Sequence, residues 1–427
     1  MRVAVVASGD FFSDYGGGQV YVRNIVDELT RHPEIATTII SFNTKQQSSI
    51  KKYKDIQVHV VNNGTTLLYA IKNIRPDIVH ANGEKLLSAK ICKELDIPCI
   101  VTAHHGGLVC PAGALLNTDD EICNIPADYS QCLKCYLRNT PTGLFWYPLL
   151  KKYSQKHYCR IGERLEKLPS IPFITPIGRT GLIVTQKLND WKELAATATH
   201  FIAPSNAIAE ALKRNGCPSD KITVIPHGIP YVHSTSSSPF SVLRSPFISF
   251  YYVGRINYIK GIHILLKAFS SIDNQNIRLH LIGGVGNKSE RHYMRRLQRQ
   301  YKRDNRIIWH GKIPAEQMLK TIKHYHCLVH PTICLEIFGL DIAEALQQSN
   351  YVIATRCGGA EMQIYDENEG MLVEPNNVTA LQTAIKQYIN HPIQSSAQVQ
   401  SIDDHVTELI KVYKSVTIES KNSFAKD

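Results

Sequence analysis

The most constraining feature of this sequence is an alternation between short, unbroken apolar runs and segments with an amphipathic helical period. The first run is Val3–Ala7, and Val22, Ile25, Val26 and Leu29 follow it at helical spacing. Unbroken runs of this length are typical of parallel strands covered on both faces, and the helical spacing indicates one buried face. The alternation therefore predicts an α/β fold with parallel sheets. Further strand-like runs are residues 38–42, 56–61, 78–80, 99–103, 201–203 and 222–225.

The pattern then starts again. The stretch 234–246 is rich in Ser and Pro and is typical of a linker. Ile248–Val253 follows it as a new strand, and a second strand–helix series runs on from there. At about 150 residues per domain, 427 residues predict two domains or three. We expect an N-terminal domain over 1–232, a second domain over 233–396, and a C-terminal helix and tail over 397–427 that packs on the first domain.

Composition excludes several classes of protein. Hydrophobic residues make up 43% and charged residues 20% of the chain, which is typical of a globular protein and not of a disordered one. No apolar run approaches the roughly 18 to 20 residues that span a bilayer, and the apolar run Val3–Ala7 is too short for an export signal. With 11 cysteines in a chain of this length, we expect a reducing, cytoplasmic location.

The net charge of +11 favours anionic partners such as phosphates, anionic lipids or nucleic acid. A solvated basic surface is an equally good interpretation of charge alone. The basic residues are dispersed and form no recognised nucleic-acid motif, which disfavours a non-enzymatic nucleic-acid-binding protein.

Glycines and cations follow the predicted strands where ligands bind in open α/β sheets. Gly16–Gly18 lies between the first strand and the first helix, where backbone N–H groups can approach an anion, and a plain tight turn is the alternative interpretation. Gly254-Arg255 and Lys260-Gly261 follow the strand Ile248–Val253. A guanidinium and an ammonium five positions apart predict a diphosphate site, although either could be a solvated surface cation.

Two glutamates eight positions apart mark a third segment. Glu336 precedes Phe338, Gly339 and Leu340, which are expected to open a helix that carries Glu344. A carboxylate accepts two hydroxyl hydrogen bonds, as a ribose diol or a sugar ring requires. Complementation of the helix dipole is the alternative role for a single glutamate in a first turn.

Together these segments resemble the retaining nucleotide-sugar glycosyltransferases of family 4, which have the GT-B architecture of two facing Rossmann-like domains. The resemblance extends over nearly the whole chain. The matching segments in the second half are Gly254-Arg255, Lys260-Gly261, 283–286, 311–313, 331–345, 358–361 and 370–375, and those in the first half are 16–18, 101–104, 203–205 and 224–229. Four segments depart from the family pattern. His227 replaces an Asn, Pro230 replaces an Asp, and His105 replaces the Asp of a His-Asp pair. Asn350-Tyr351-Val352 stands where the family has Gly-x-Pro-Val.

The resemblance implies a role for each matching residue. Arg255 and Lys260 would neutralise the donor diphosphate, with the backbone of Gly17 and Gly254 close to it. Glu344 would hold the ribose hydroxyls.

For the sugar and the base, the resemblance implies that Glu336 and the backbone of Phe338, Gly339 and Leu340 hold the donor sugar. His104 would lie near the transferred sugar, and the backbone of Ile313 near the base.

The function implied is transfer of a hexose-type sugar from a UDP or GDP sugar to a glycan or lipid-linked acceptor, in polysaccharide or glycolipid biosynthesis. Retention of the anomeric configuration follows from the resemblance alone. The sequence contains no Asp-x-Asp, so we expect cations to stabilise the leaving diphosphate without a metal or other cofactor. A sugar-nucleotide epimerase on the same architecture is the alternative enzyme class, but its acid–base carboxylates have no evident counterpart.

Two further segments lie in an insertion of the first half. Cys110, Cys123, Cys132 and Cys135 occur in a loop-like segment over about 106–142, and they predict either a structural metal site or free thiols. Residues 144–168 combine aromatic and basic side chains. They are compatible with an anionic membrane surface, with a lipid-linked acceptor, or with a solvated helix.

Overall fold

The computed structural model describes residues 1–12, 17–140, 142–167, 174–231 and 246–424, without the side chains of 315–316 and 421–424. The chain divides into two compact units. The first unit contains residues 1–119, 123–228 and 402–427, and the second contains 120–122 and 229–401. Most of the linker predicted over 234–246 lies outside the described residues.

Eight described strands form the sheet of the first unit, in the order β3-β4-β2-β1-β5-β6-β7-β8. All neighbouring strands are parallel except β3, which pairs antiparallel with β4 at the edge. The strands are β1 Arg2–Ser8, β2 Ala36–Phe42, β3 Ser49–Tyr53, β4 Ile56–Val61, β5 Ile78–Ala81, β6 Cys99–Thr102, β7 His200–Ala203 and β8 Ile222–Val224.

Several helices of the first unit begin at residues suited to capping. Asn63 accepts a hydrogen bond from the Thr66 N–H in a capping box, and Ser205 accepts one from the Ile208 N–H. The helices are α1 Gly17–Leu29, α2 Gly64–Ile74, α3 Lys85–Glu94, α4 Tyr129–Arg138, α5 Gly143–Leu150, α6 Gln155–Glu166, α7 Ile174–Thr197 and α8 Asn206–Arg214.

The second unit is built on a six-stranded parallel sheet in the order β11-β10-β9-β12-β13-β14. Its strands are β9 Ile248–Val253, β10 Ile277–Ile282, β11 Ile307–Gly311, β12 Cys327–His330, β13 Tyr351–Thr355 and β14 Gly370–Val373. Its helices are α9 Ile262–Ser270, α10 Lys288–Gln300, α11 Ala315–Ile322, α12 Leu340–Gln347 and α13 Val378–Asn390. The α/β class predicted from the apolar runs is confirmed.

The last helix, α14 Ile402–Phe424, belongs to the first unit. Its buried side chains Val406, Leu409 and Tyr413 join the core formed by β1 and α1. The predicted C-terminal segment began at 397, but residues 391–400 are not helical, so the helix begins five residues later.

The insertion differs from the sequence-based expectation. Its cysteine segment was expected to be loop-like, yet Cys132 and Cys135 lie on α4. Asp128 caps this helix by accepting hydrogen bonds from the Ser130 and Gln131 N–H groups. The polar residues that suggested a loop therefore include the residue that starts the helix. No helix in the described ranges is both long enough and apolar enough to cross a membrane.

Candidate functional site

In the second unit, two glycines allow the loops that follow the strands to approach one another. A Cβ at Gly283 would lie 1.7 Å from the Gly254 oxygen, and one at Gly261 would lie 1.8 Å from the Pro331 oxygen. Asn257 accepts a hydrogen bond from the Lys260 N–H at 3.1 Å and starts the short 3₁₀ helix Tyr258–Lys260. These contacts bring Lys260 to the end of β12.

Four charged side chains meet there. The Lys260 ammonium donates to Glu336 Oε2. His330, the last residue of β12, lies with Nε2 3.2 Å from the same oxygen of Glu336 and with Nδ1 2.7 Å from Asp341 Oδ2. His330 is 2% exposed, so its ring is enclosed between the two carboxylates. We call Lys260, His330, Glu336 and Asp341 the charged cluster.

Burial and pairing determine the protonation of the charged cluster. Burial alone would lower the pKa of His330, but the Asp341 and Glu336 carboxylates outweigh it and raise the pKa to about 9. Burial alone would raise the pKa of Glu336, but Lys260 and then His330 hold that pKa well below its usual range. Two cations and two carboxylates therefore balance at neutral pH.

Glu344 lies on α12, one turn beyond Asp341. Burial, and to a smaller extent the Asp341 carboxylate, raises the pKa of Glu344 to about 7. The start of this helix is held by Gln363, whose amide donates to the Phe338 oxygen at 2.5 Å and to the Gly339 oxygen at 3.3 Å.

These contacts place the predicted sugar-binding backbone. Phe338 is buried, with its ring packed against Ile229 and Ala343, and Gly339 has a φ of 85°. Leu340 opens α12. Glu336, at 13% side-chain exposure, is thus on the same short segment as the start of the helix.

Arg255 has a different environment from Lys260. Its side chain is 63% exposed, and its guanidinium lies 3.6 Å from Glu290 on α10. The same Glu290 accepts a hydrogen bond from the Gly286 N–H at 2.5 Å. Ile313, predicted near the base, is half-buried just beyond the end of β11.

In the first unit, His104 follows β6, and its Nε2 lies 2.6 Å from Asn82 Oδ1. Because an amide oxygen only accepts, the Nε2–H donates and Nδ1 is left as an acceptor. Burial, and then the Lys85 cation, hold the pKa of His104 well below its usual range. The ring is therefore neutral. Asn82 Nδ2 is buried without a hydrogen-bond partner among the described residues.

Tyr21 on α1 links this histidine to two others. Its ring lies 4.8 Å from that of His104 and 4.1 Å from that of His227. Its hydroxyl is 2.9 Å from His405 Nε2 on α14, and His405 Nδ1 donates to the Pro226 oxygen at 2.6 Å. Gly17 is exposed at the first turn of the same helix α1, whereas Gly16 lies outside the described residues.

Sequence reasoning missed His330, Asp341, Asn82, Tyr21 and His405. His330 carried a usable signal, because a histidine that closes the buried run Cys327–His330 needs a polar partner. Asp341 likewise precedes Glu344 by one turn. Nothing near His405 in the sequence indicates its contact with Tyr21, 384 residues away.

The four insertion cysteines are all unpaired thiols. No three of their sulfur atoms lie within 4.8 Å of one another, whereas Glu28, His32 and Asp403 do place three ligand atoms within that distance. Glu28 is already paired with Arg31 at 2.7 Å, and Asp403 is exposed. Within the described part of the chain, neither the four cysteines nor the Glu28, His32 and Asp403 group therefore offers a complete set of available metal ligands.

Comparison with known families matches two segments of the chain. Residues 238–402 match the family described as glycosyl transferases group 1, and residues 181–231 match glycosyltransferase family 4. An uncharacterized glycosyltransferase of Methanocaldococcus jannaschii is 24% identical over 284 residues, which cover 60% of this chain and 72% of that protein.

Solved structures share the fold over its whole length. Sucrose-phosphate synthase from Thermosynechococcus elongatus is 17% identical with a TM-score of 0.63, and covers 100% of this chain and 98% of its own. HepE of Anabaena, solved in complex with UDP-glucose, is 16% identical with a TM-score of 0.60, and both chains are covered completely. At these identities the likeness concerns the fold, which is the GT-B architecture.

Proposed function

Because the chain belongs to the family 4 glycosyltransferases, we propose that it transfers a hexose-type sugar from a UDP or GDP sugar to a glycan or lipid-linked acceptor, with retention of configuration. The observation that carries this proposal is the charged cluster at the carboxyl end of β12. Open α/β sheets bind ligands at such strand ends. The complex of HepE with UDP-glucose supports a donor of this class.

Lys260 supplies the main electrostatic contribution in this proposal. When the sugar–phosphate bond breaks, its electron pair leaves with the diphosphate, and negative charge grows on the phosphate oxygens. An ammonium already fixed against Glu336 stabilises that charge without moving, which lowers the barrier. Arg255, whose side chain is more exposed than that of Lys260, gives a second cation for the same group.

Two glutamates of the second unit bind the donor in this proposal. Glu336 accepts hydrogen bonds from the sugar, and Glu344 accepts those of the ribose hydroxyls. His104, in the first unit, is assigned to the transferred sugar by the family resemblance alone. The acceptor hydroxyl attacks on the face that the diphosphate leaves, and its proton passes to the departing phosphate oxygen.

Nucleotide release tests the proposal. The protein is incubated with a panel of UDP and GDP sugars and candidate glycan or lipid-linked acceptors, in the presence of EDTA. We expect acceptor-dependent release of one nucleotide, and NMR of the product should show the anomeric configuration of the donor. Conversion of the sugar without nucleotide release would instead identify an epimerase.

The variant K260A localises the chemistry. Loss of a fixed cation at the leaving group should lower kcat by about 10²- to 10³-fold. The matched control K267A removes an exposed lysine from α9 in the same unit and should retain full activity. Equal activity of both variants would remove Lys260 from the site.

A further inference from the structure

The helix α5 exposes an apolar surface that no part of the proposed chemistry uses. Phe145 is 78% exposed, and four other large apolar side chains within ten residues are 40–46% exposed. These side chains are Leu144, Trp146, Leu149 and Tyr153. Contiguous exposed apolar groups on a globular protein mark an interaction surface more often than scattered ones do.

The opposite side of the same helix shows that α5 is seated on the first unit. Tyr147 and Leu150 pack against a small core of buried residues from α4, α6 and α7. That core consists of Leu133, Leu137, Tyr158 and Ile177. Tyr147 and Leu150 already hold the helix on the first unit, so the exposed apolar side chains are available to contact a partner.

Basic residues follow this apolar helix along the chain. Residues 151–167 contain six lysines and arginines, all exposed, and two glutamates. One of the glutamates, Glu166, is paired with Arg179 at 2.5 Å. The six cations are Lys151, Lys152, Lys156, Arg160, Arg164 and Lys167.

We propose that α5 and the basic stretch that follows it dock the protein on the surface of an anionic lipid bilayer. Aromatic rings sit favourably at the level of lipid headgroups, and neighbouring lysines and arginines are attracted to anionic lipids. At eight residues, α5 is about 12 Å long, so it lies on the bilayer and does not cross it.

Charge argues against a second copy of the chain as the occupant. In a two-fold symmetric contact the same surface faces itself, so the six cations of one copy would face those of the other. An anionic bilayer meets both the apolar and the basic side chains. Binding to lipid is measured without any sugar donor, so the docking surface can be tested independently of the proposed function. Only its connection with a lipid-linked acceptor rests on that function.

Vesicle flotation of the full chain tests the surface. Phosphatidylcholine vesicles with phosphatidylglycerol should carry the protein upward, and vesicles of phosphatidylcholine alone should do so about tenfold less. The variants K151E/K152E and F145S/W146S should each lower the partition to anionic vesicles about tenfold or more. Nucleotide release with a water-soluble acceptor should be unchanged in both.

Two matched controls distinguish the effect of this surface from that of any change in net charge or any loss of an exposed aromatic ring. K51E/K52E makes the same charge change at an exposed lysine pair in β3, and Y365S removes a ring that is 76% exposed in the second unit. Both should bind vesicles like the unchanged protein. Equal loss of binding in K51E/K52E and K151E/K152E would overturn the proposal, as would a dimer in sedimentation that F145S/W146S converts to monomer.

Loss of nucleotide release in every assay, with vesicle binding intact, would refute the proposed function and leave the docking surface standing.

Discussion

At the scale of single residues, the most unusual group is His330. A histidine buried between two carboxylates keeps its proton. Burial destabilises the imidazolium, but its attraction to the two carboxylates is larger. The charged cluster is thus neutral as a whole, and removing one cation leaves a carboxylate uncompensated.

The His330 proton makes the stability of the second unit depend on pH. With its pKa raised to about 9, His330 stabilises the folded state fully below pH ~6.5. This contribution is lost as the pH rises to about 9, since the unfolded chain gives up the proton first. We expect H330N to abolish this fall in the free energy of unfolding and to lower stability by about 3 kcal/mol near neutral pH.

Urea unfolding between pH 6 and 10 measures the effect. H324N, the same substitution at an exposed histidine of the second unit, should keep the slope of the unchanged protein. Identical slopes in the unchanged protein and H330N would show that His330 does not carry the proton.

Glu344 should make nucleotide binding depend on pH near neutrality. Its pKa is raised to about 7, so the carboxylate that we propose accepts two ribose hydrogen bonds forms mainly above that pH. The affinity for UDP or GDP should therefore rise between pH 6 and 8. E344Q should bind about tenfold more weakly at pH 8 and lose the rise that Glu344 causes.

Calorimetric titration at several pH values checks this, with E344Q correcting for the titration of the phosphate itself. The exposed Glu367 provides the control E367Q, which should follow the unchanged protein. A rise of the same size in E344Q would remove Glu344 from the nucleotide site.

At the scale of elements, the second unit depends on loops whose backbones pack directly against one another at the ends of the strands. The 3₁₀ turn that carries Lys260 ends at Gly261, whose φ is 68°. The order of strand, glycine, cation and helix could be predicted here from the sequence, because apolar runs and glycines are local signals. The contact of Gly261 with Pro331 could not, because it joins two loops 70 positions apart.

G261A should therefore destabilise the second unit strongly. Its Cβ would meet the Pro331 oxygen at 1.8 Å, in addition to the cost of a left-handed backbone. We expect a loss of more than about 3 kcal/mol in urea unfolding. G311A has nearly the same φ, 72°, with nothing within 4 Å of its Cβ, and should lose only about 1–2 kcal/mol. Equal losses would mean that the loop yields at Pro331.

At the scale of the whole molecule, the chain leaves the first unit for the short segment 120–122 and again for 229–401, and it returns finally at Ile402. α14 then completes the core of that unit and brings His405 to Tyr21. The final helix therefore supports both the packing of the first unit and the surroundings of His104.

L409A tests the role of α14. Leu409 is fully buried, so the cavity should cost the first unit about 2–5 kcal/mol. I418A, on the same helix with 59% exposure, should change stability by less than about 0.5 kcal/mol. Hydrogen exchange followed by mass spectrometry resolves the first unit from the second, and loss of protection confined to residues 229–401 in L409A would contradict this assignment.

The sequence by itself determined the strand and helix periods, the glycines that follow the strands, and the family. Each of these can be identified from short segments of consecutive residues. Only the tertiary structure decided that Lys260 pairs with Glu336, that His330 lies between Glu336 and Asp341, and that His405 reaches Tyr21. The physical reason is that hydrophobic period is a local property of the chain. Pairing and protonation instead depend on which strand ends the completed sheet brings together, and on how deeply the fold buries them.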